Sequence, residues 1–125
     1  MSDTVTLQPG CMAEALQGAL ETVFDSSQIF PHVYTGTLLK YVVWNYNVLP
    51  SVWAEGQPHA ARYLVQVHFY LPHKEDARAA ILSISRALFD AGFTWPNLTD
   101  ASDEDGQHWV MECEYADPGG AYGFT

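Results

Sequence analysis

The sequence predicts an α+β domain: a mainly antiparallel β-sheet with two helices packed on it, in the order helix, strand, strand, helix, strand. Three observations carry this. Two segments place apolar residues at helical spacing, three others alternate aromatic or β-branched residues with polar ones, and Pro-, Gly- or Asp-rich breaks separate them. Residues 1–117 are expected to form one domain, with 118–125 as a flexible tail.

The first helix is expected from about Cys11 to Phe24, where Met12, Leu16, Ala19, Leu20 and Val23 recur with Glu14, Gln17 and Glu21 between them. Pro9 precedes it and Asp25-Ser26-Ser27 ends it. Gly18 weakens it by about 1 kcal/mol relative to alanine, which a buried glycine allowing close packing would explain. Ile29 to Gly36 suits an extended connection, because Pro31 disfavours helix at Phe30, and a short strand fits Val33 to Thr35.

From Leu38 to Leu49 a strand is expected, with Val42, Trp44, Tyr46 and Val48 on one face and Tyr41, Val43, Asn45 and Asn47 on the other. Pro50 stops it. Ser51 to Ala60 is expected to be a loop or wide hairpin connection, with Trp53 either a contact residue or a lid folded back on the sheet. The second strand, about Arg62 to Leu71, alternates Tyr63, Val65, Val67, Phe69 and Leu71 with Arg62, Gln66 and His68.

After Pro72, Lys74-Glu75-Asp76 puts acidic residues in the first turn of a second helix, whose buried stripe is Ala77, Ala80, Ile81, Ile84, Leu88 and Ala91. Its polar back carries Asp76, Arg78, Ser83, Ser85, Arg86 and Asp90. Gly92 stands where a helix C-cap favours a left-handed residue. Thr94 to Gly106 has loop composition. Gln107 to Tyr115 resumes alternation, with Trp109, Met111, Cys113 and Tyr115 facing inward.

Fifteen acidic residues oppose five basic ones, for a net charge of −10, and no Lys or Arg follows Arg86. Such a surface repels phosphate, which disfavours sequence-reading nucleic-acid binding. No apolar run approaches the roughly 18 residues of a membrane span. The N-terminus lacks a basic n-region and an apolar h-region, so a cytosolic setting is expected, with the Asn97-Leu98-Thr99 sequon accidental. Cys11 and Cys113 lack CxxC spacing and are expected as free thiols.

No motif assigns chemistry. The five histidines, His32, His59, His68, His73 and His108, form neither HExxH nor a helical i, i+4 pair. His68 and His108 fit as neighbours on one sheet face, near Glu112 or Glu114, but outward polar positions on strands are common. Asp103-Glu104-Asp105-Gly106 misses the calcium-loop spacing and suits a solvated turn. Cys113 points inward, no serine sits in GxSxG, and Gly119-Gly120 has no helix or Lys after it. No catalytic, cofactor-binding or metal-binding residue is assigned, and no enzyme activity is expected.

The segments ALQGALETVF, PHVY, KYVVWNYN, RYLVQVHFY, KEDARAAILSISRALFDAGF and HWVMECEY, over about residues 11 to 116, resemble in their order the tail terminator or tail completion proteins of tailed bacteriophages. The resemblance implies a structural virion protein. Such proteins form homo-oligomeric rings, commonly hexamers, that end the tail tube and meet the head–tail connector, assembled in the host cytoplasm. It implies the chain itself, the tail tube protein and the connector as partners, no cofactor and no membrane, with DNA passing through without specific binding. By position, the candidate interface comprises Trp53 and Glu55 on the first loop, Arg78, Arg86 and Asp90 on the second helix, and Asp100, Asp103, Glu104 and Asp105 on the acidic loop. The alternative is a cytosolic protein- or ligand-binding adaptor without catalysis.

Overall fold

The structure, a computed structural model, describes residues 5–7, 10–54, 56–117 and 122–124. Its elements in chain order are β1 (Val5–Leu7), α1 (Gly10–Glu21), β2 (Ile29–Pro31), β3 (Tyr41–Ala54), β4 (Gln57–Leu71), α2 (Arg78–Asp90), β5 (Asn97–Asp100), β6 (Gln107–Asp117) and β7 (Tyr122–Phe124). The class is α+β. Five strands form one sheet in the order β2-β3-β4-β6-β5, while β1 and β7 pair antiparallel in a second, two-stranded sheet.

The large sheet is mixed, because β2 runs parallel to β3 while the other three pairings are antiparallel. The expected order of helix, strand, strand, helix, strand is not the observed one. Short strands precede α1, follow it, precede β6 and follow it, and strands of three or four residues give too little alternation to stand out in a sequence. The strand expected at Val33 to Thr35 lies instead at Ile29–Pro31, where Ile29 pairs with Val42. His32, at φ 69, then turns the chain away from the sheet.

Register explains the core. Val42, Val67 and Met111 fall on one face with Phe69, Val65 and Cys113, because Val42 opposes Phe69, Val67 opposes Met111 and Val65 opposes Cys113. Met12, Leu16 and Leu20 of α1 and Ile84 and Leu88 of α2 cover that face, all fully buried. Trp44 belongs to the core, with its indole N–H donating to Gln17 Oε1 at 3.3 Å. Trp109 packs against it and donates to Gln107 Oε1 at 3.0 Å.

Four local expectations are corrected. Gly18 is exposed, and a Cβ there would meet nothing within 4 Å, so no close packing requires it. α1 ends at Glu21, where Thr22 Oγ1 donates to the Ala19 carbonyl at 2.6 Å, and Phe24 reaches the core from the following turn. Lys74-Glu75-Asp76 lies before α2 rather than in its first turn. There the Asp76 carboxylate accepts the Arg78 backbone N–H at 3.0 Å, an N-terminal cap from just outside the helix. Ser85, expected on the polar back, is buried.

The C-terminal end of α2 is as expected. Gly92 has φ 101, Phe93 N–H donates to the Leu88 carbonyl at 3.0 Å and Gly92 N–H to the Phe89 carbonyl at 3.1 Å. These two bonds make a Schellman motif, which requires the left-handed conformation at Gly92.

Candidate functional site

Pro50 does not stop β3. Beyond Trp44 nothing among the described residues pairs with the outer side of β3, and on such an edge a proline without N–H is tolerated. The expected loop from Ser51 to Ala60 is therefore a hairpin in which Trp53 opposes Pro58 and Ala54 opposes Gln57. The side chain of Trp53, and Glu55 altogether, lie outside the described residues.

The face of the sheet away from the helices carries a continuous row of rings. Phe30 stacks on Tyr34 at 4.1 Å between centroids, Tyr34 meets Tyr41 at 4.7 Å, Tyr41 stacks on Tyr70 at 4.7 Å, and Tyr70 stacks on His108 at 4.2 Å. Register places them so, since Tyr41 opposes Tyr70 and Tyr70 opposes His108. His68, diagonal to His108, closes the row with Nδ1 2.8 Å from His108 Nε2.

The far nitrogen of this pair has two neighbours. His68 Nε2 lies 3.2 Å from the acceptor Gln66 Oε1 and 3.4 Å from the donor Asn45 Nδ2, so it is satisfied in either tautomer, and one proton is shared between His68 Nδ1 and His108 Nε2. Burial pushes both imidazoles below the ordinary histidine range. For His68 the neighbouring His108 adds to that shift and Glu112 opposes it, and for His108 Asp103 opposes it. A neutral, hydrogen-bonded pair follows. The expected adjacency of His68 and His108 is thus present, whereas among the described residues no group of three or more His, Cys, Asp or Glu comes together to hold a metal ion. Cys113 is a buried free thiol, pushed up to about 12 by burial and by Glu114, and it is inert as a nucleophile at neutral pH.

The expected interface residues divide among three places. Arg78 borders a groove of about 440 Å³ between α2 and β5, floored by Ile81, Leu82, Trp95, Leu98 and Trp109. Arg78 is held by Asp76 at 2.8 Å, and the hydrogen bonds from that guanidinium hold the Asp76 carboxyl down to about 2. Gln107 closes one end of the groove by donating to the Pro72 and Glu75 carbonyls at 2.9 and 2.7 Å, tying β6 to the start of α2. Arg86 lies over the Trp95 ring, 5.6 Å from its centroid. Asp90 lines a second groove, between α1 and α2.

The acidic loop is not wholly a loop. Asn97–Asp100 forms β5, paired to β6 with Leu98 opposite Met111. Asp100 accepts the Ser102 N–H at 2.9 Å and Asp103 accepts the Asp105 N–H at 2.8 Å, so both shape the turn into β6. Glu104 and Asp105 are exposed on that turn, and Asp103 meets His73, whose Nε2–H donates to its carbonyl at 2.6 Å. The acidic cluster and the α2 residues are separate features.

Sequence reasoning missed the aromatic row and the α2–β5 groove. Tyr41 and His68 were placed on the correct face, but only the strand register shows which rings touch. The groove depends on β5, which four residues of loop composition concealed. No family model matches the chain, and no curated protein matches it in sequence.

Proposed function

We propose that the chain is a structural subunit that acts by binding copies of itself, as a ring ending a phage tail tube and meeting the head connector. The supporting observation is that the five-stranded sheet is open at two unlike edges, β2 and β5. A contact between unlike surfaces is heterologous, and heterologous contacts close into rings when the rotation per subunit allows it. The terminal strands β2 and β5 are short and Pro31 blunts one of them, while β3 beyond Trp44 adds a longer edge without a strand partner among the described residues, interrupted by Pro50. The order of segments carries the resemblance to tail terminators, and that resemblance implies a ring that is commonly a hexamer. The acidic surface suits a channel that DNA crosses without sticking.

Light scattering on the eluting protein, with negative-stain microscopy of the peak, tests this reading. Closed rings of one size are expected, and addition of tail tubes should place them at the tube ends. A protein that stays at the 13.9 kDa of one chain at every concentration and ignores tubes defeats the reading. That outcome would favour the binding-adaptor reading, which the apolar α2–β5 groove supports.

A further inference from the structure

Two imidazole nitrogens converge on the open face of the sheet. His68 Nδ1 and His108 Nε2 stand 2.8 Å apart although the two residues are 40 apart in the chain, so the register of β4 against β6 is what joins them. Their surroundings hold them there. His68 stands between Val43 and Val110, its direct cross-strand neighbours and both buried, and His108 stacks on Tyr70 at 4.2 Å. Both rings are half-buried, so solvent reaches the pair from the open face.

The separation is that of two ligands on one metal ion. Imidazole nitrogens bind divalent transition metals at about 2.0–2.1 Å, so two of them at a right angle stand roughly 2.9 Å apart, and at the tetrahedral angle roughly 3.3 Å. The observed 2.8 Å matches the right angle, which is the geometry of tetragonal copper(II) and nickel(II) rather than of zinc.

We propose that His68 Nδ1 and His108 Nε2 form a two-histidine site for a divalent transition-metal ion of the copper(II) or nickel(II) class, with water in its remaining positions. The ion takes the place of the proton that the pair shares, and the rings tilt so that both lone pairs meet it. His68 then carries its proton on Nε2, donated to Gln66 Oε1 at 3.2 Å, and the His108 proton moves to Nδ1, so the rings stay neutral and no net proton is released. A ligating imidazole whose other N–H is held by an oxygen acceptor is oriented for its metal, which makes Gln66 a positioning residue. Burial keeps both rings unprotonated at neutral pH, so no proton competes with the ion. Glu112, exposed and opposite Gln66 on the same face, adds negative charge beside the site.

Nickel(II), which leaves thiols unoxidised, is the probe for calorimetric titration of the metal-free protein. The wild type should bind one ion per chain in the micromolar range, and His68→Gln and His108→Gln should each weaken binding at least about tenfold. His32→Asn is the control. The His32 ring lies toward Trp44 and Tyr46 of the helix-covered face, and asparagine tolerates its left-handed backbone, so this variant should bind as the wild type does. Copper(II) bound to the wild type should show electron paramagnetic hyperfine splitting from two imidazole nitrogens, a reading that needs no variant to fold.

Wild-type binding no tighter than that of the His68→Gln, His108→Gln double variant, a loss in only one of the two single variants, weakened binding by His32→Asn, or copper(II) coupled to one imidazole would each overturn the site and leave the pair a hydrogen bond between strands. The self-assembly reading stands apart from all of these results, because light scattering tests it on the metal-free protein.

Discussion

The two faces of the five-stranded sheet are built from alternate residues of the same strands, yet they are held by different physics. On the helix-covered face Val65, Val67, Phe69 and Met111 are almost wholly buried. On the other face their neighbours Gln66, His68, Tyr70 and His108 are half-buried and hold one another by ring stacking and side-chain hydrogen bonds. The covered face supplies stability through area removed from water, while the open face supplies a shaped and titratable surface.

The largest effect that tests this contrast comes from adjacent residues of β4. Phe69 is fully buried and its ring meets Phe24 at 5.3 Å, so Phe69→Ala should cost about 3–5 kcal/mol in urea unfolding. Tyr70→Ala, one residue on, loses the stacking on Tyr41 and His108 and should cost about 1 kcal/mol. Equal costs would break the comparison. They would mean that something buries the open face as deeply as the helices bury the other.

The helix that covers the core has one position where backbone conformation alone decides. Gly92→Ala at φ 101 should cost about 1–2 kcal/mol, because the nearest atom to a new Cβ is 3.6 Å away and the penalty is conformational rather than a clash. Gly18→Ala is the control. It meets nothing and should stabilise α1 by up to about 1 kcal/mol, so a loss there would show that this helix face is covered.

These glycines also show what the sequence could disclose. Gly92 was legible because an apolar stripe of period 3.6 ended just before it, a local signal. Gly18 was legible by the same signal, because at about 100° per residue it lies on the side of the helix away from Met12, Leu16, Leu20 and Val23, where no close packing is needed. For the strands, local and distant signals divide. Alternation along β3, β4 and β6 assigned the faces correctly, but β2 and β5 are three and four residues long and depend on partners distant in sequence. Of the site, the proximity of His68 and His108 was accessible from alternation, whereas the α2–β5 groove required the register of Leu98 opposite Met111.

The open face should make stability depend on pH. Both His68 and His108 titrate below the ordinary histidine range, so below about pH 6.5 the unfolded chain binds protons that the folded pair resists. Their contribution is fully present above the unfolded value and is lost as pH falls toward the folded values. Unfolding midpoints should therefore drop as pH falls below about 6.5, and His68→Gln with His108→Gln should flatten that part of the curve. An unchanged slope in the double variant would assign the loss to other groups and leave the ring pair without a role in stability.

The smallest effect belongs to the ion pair at the rim of the same face. Arg62 Nε donates to Glu114 Oε1 at 2.7 Å, but the two side chains are 53% and 44% exposed, so water and salt screen most of the attraction. Arg62→Ala should cost no more than about 0.5 kcal/mol at 0.15 M salt and less at 1 M. A loss several times larger and insensitive to salt would mean that the pair is desolvated in solution. Among the described residues nothing in one chain desolvates it, so such a result would place a second subunit over the open face.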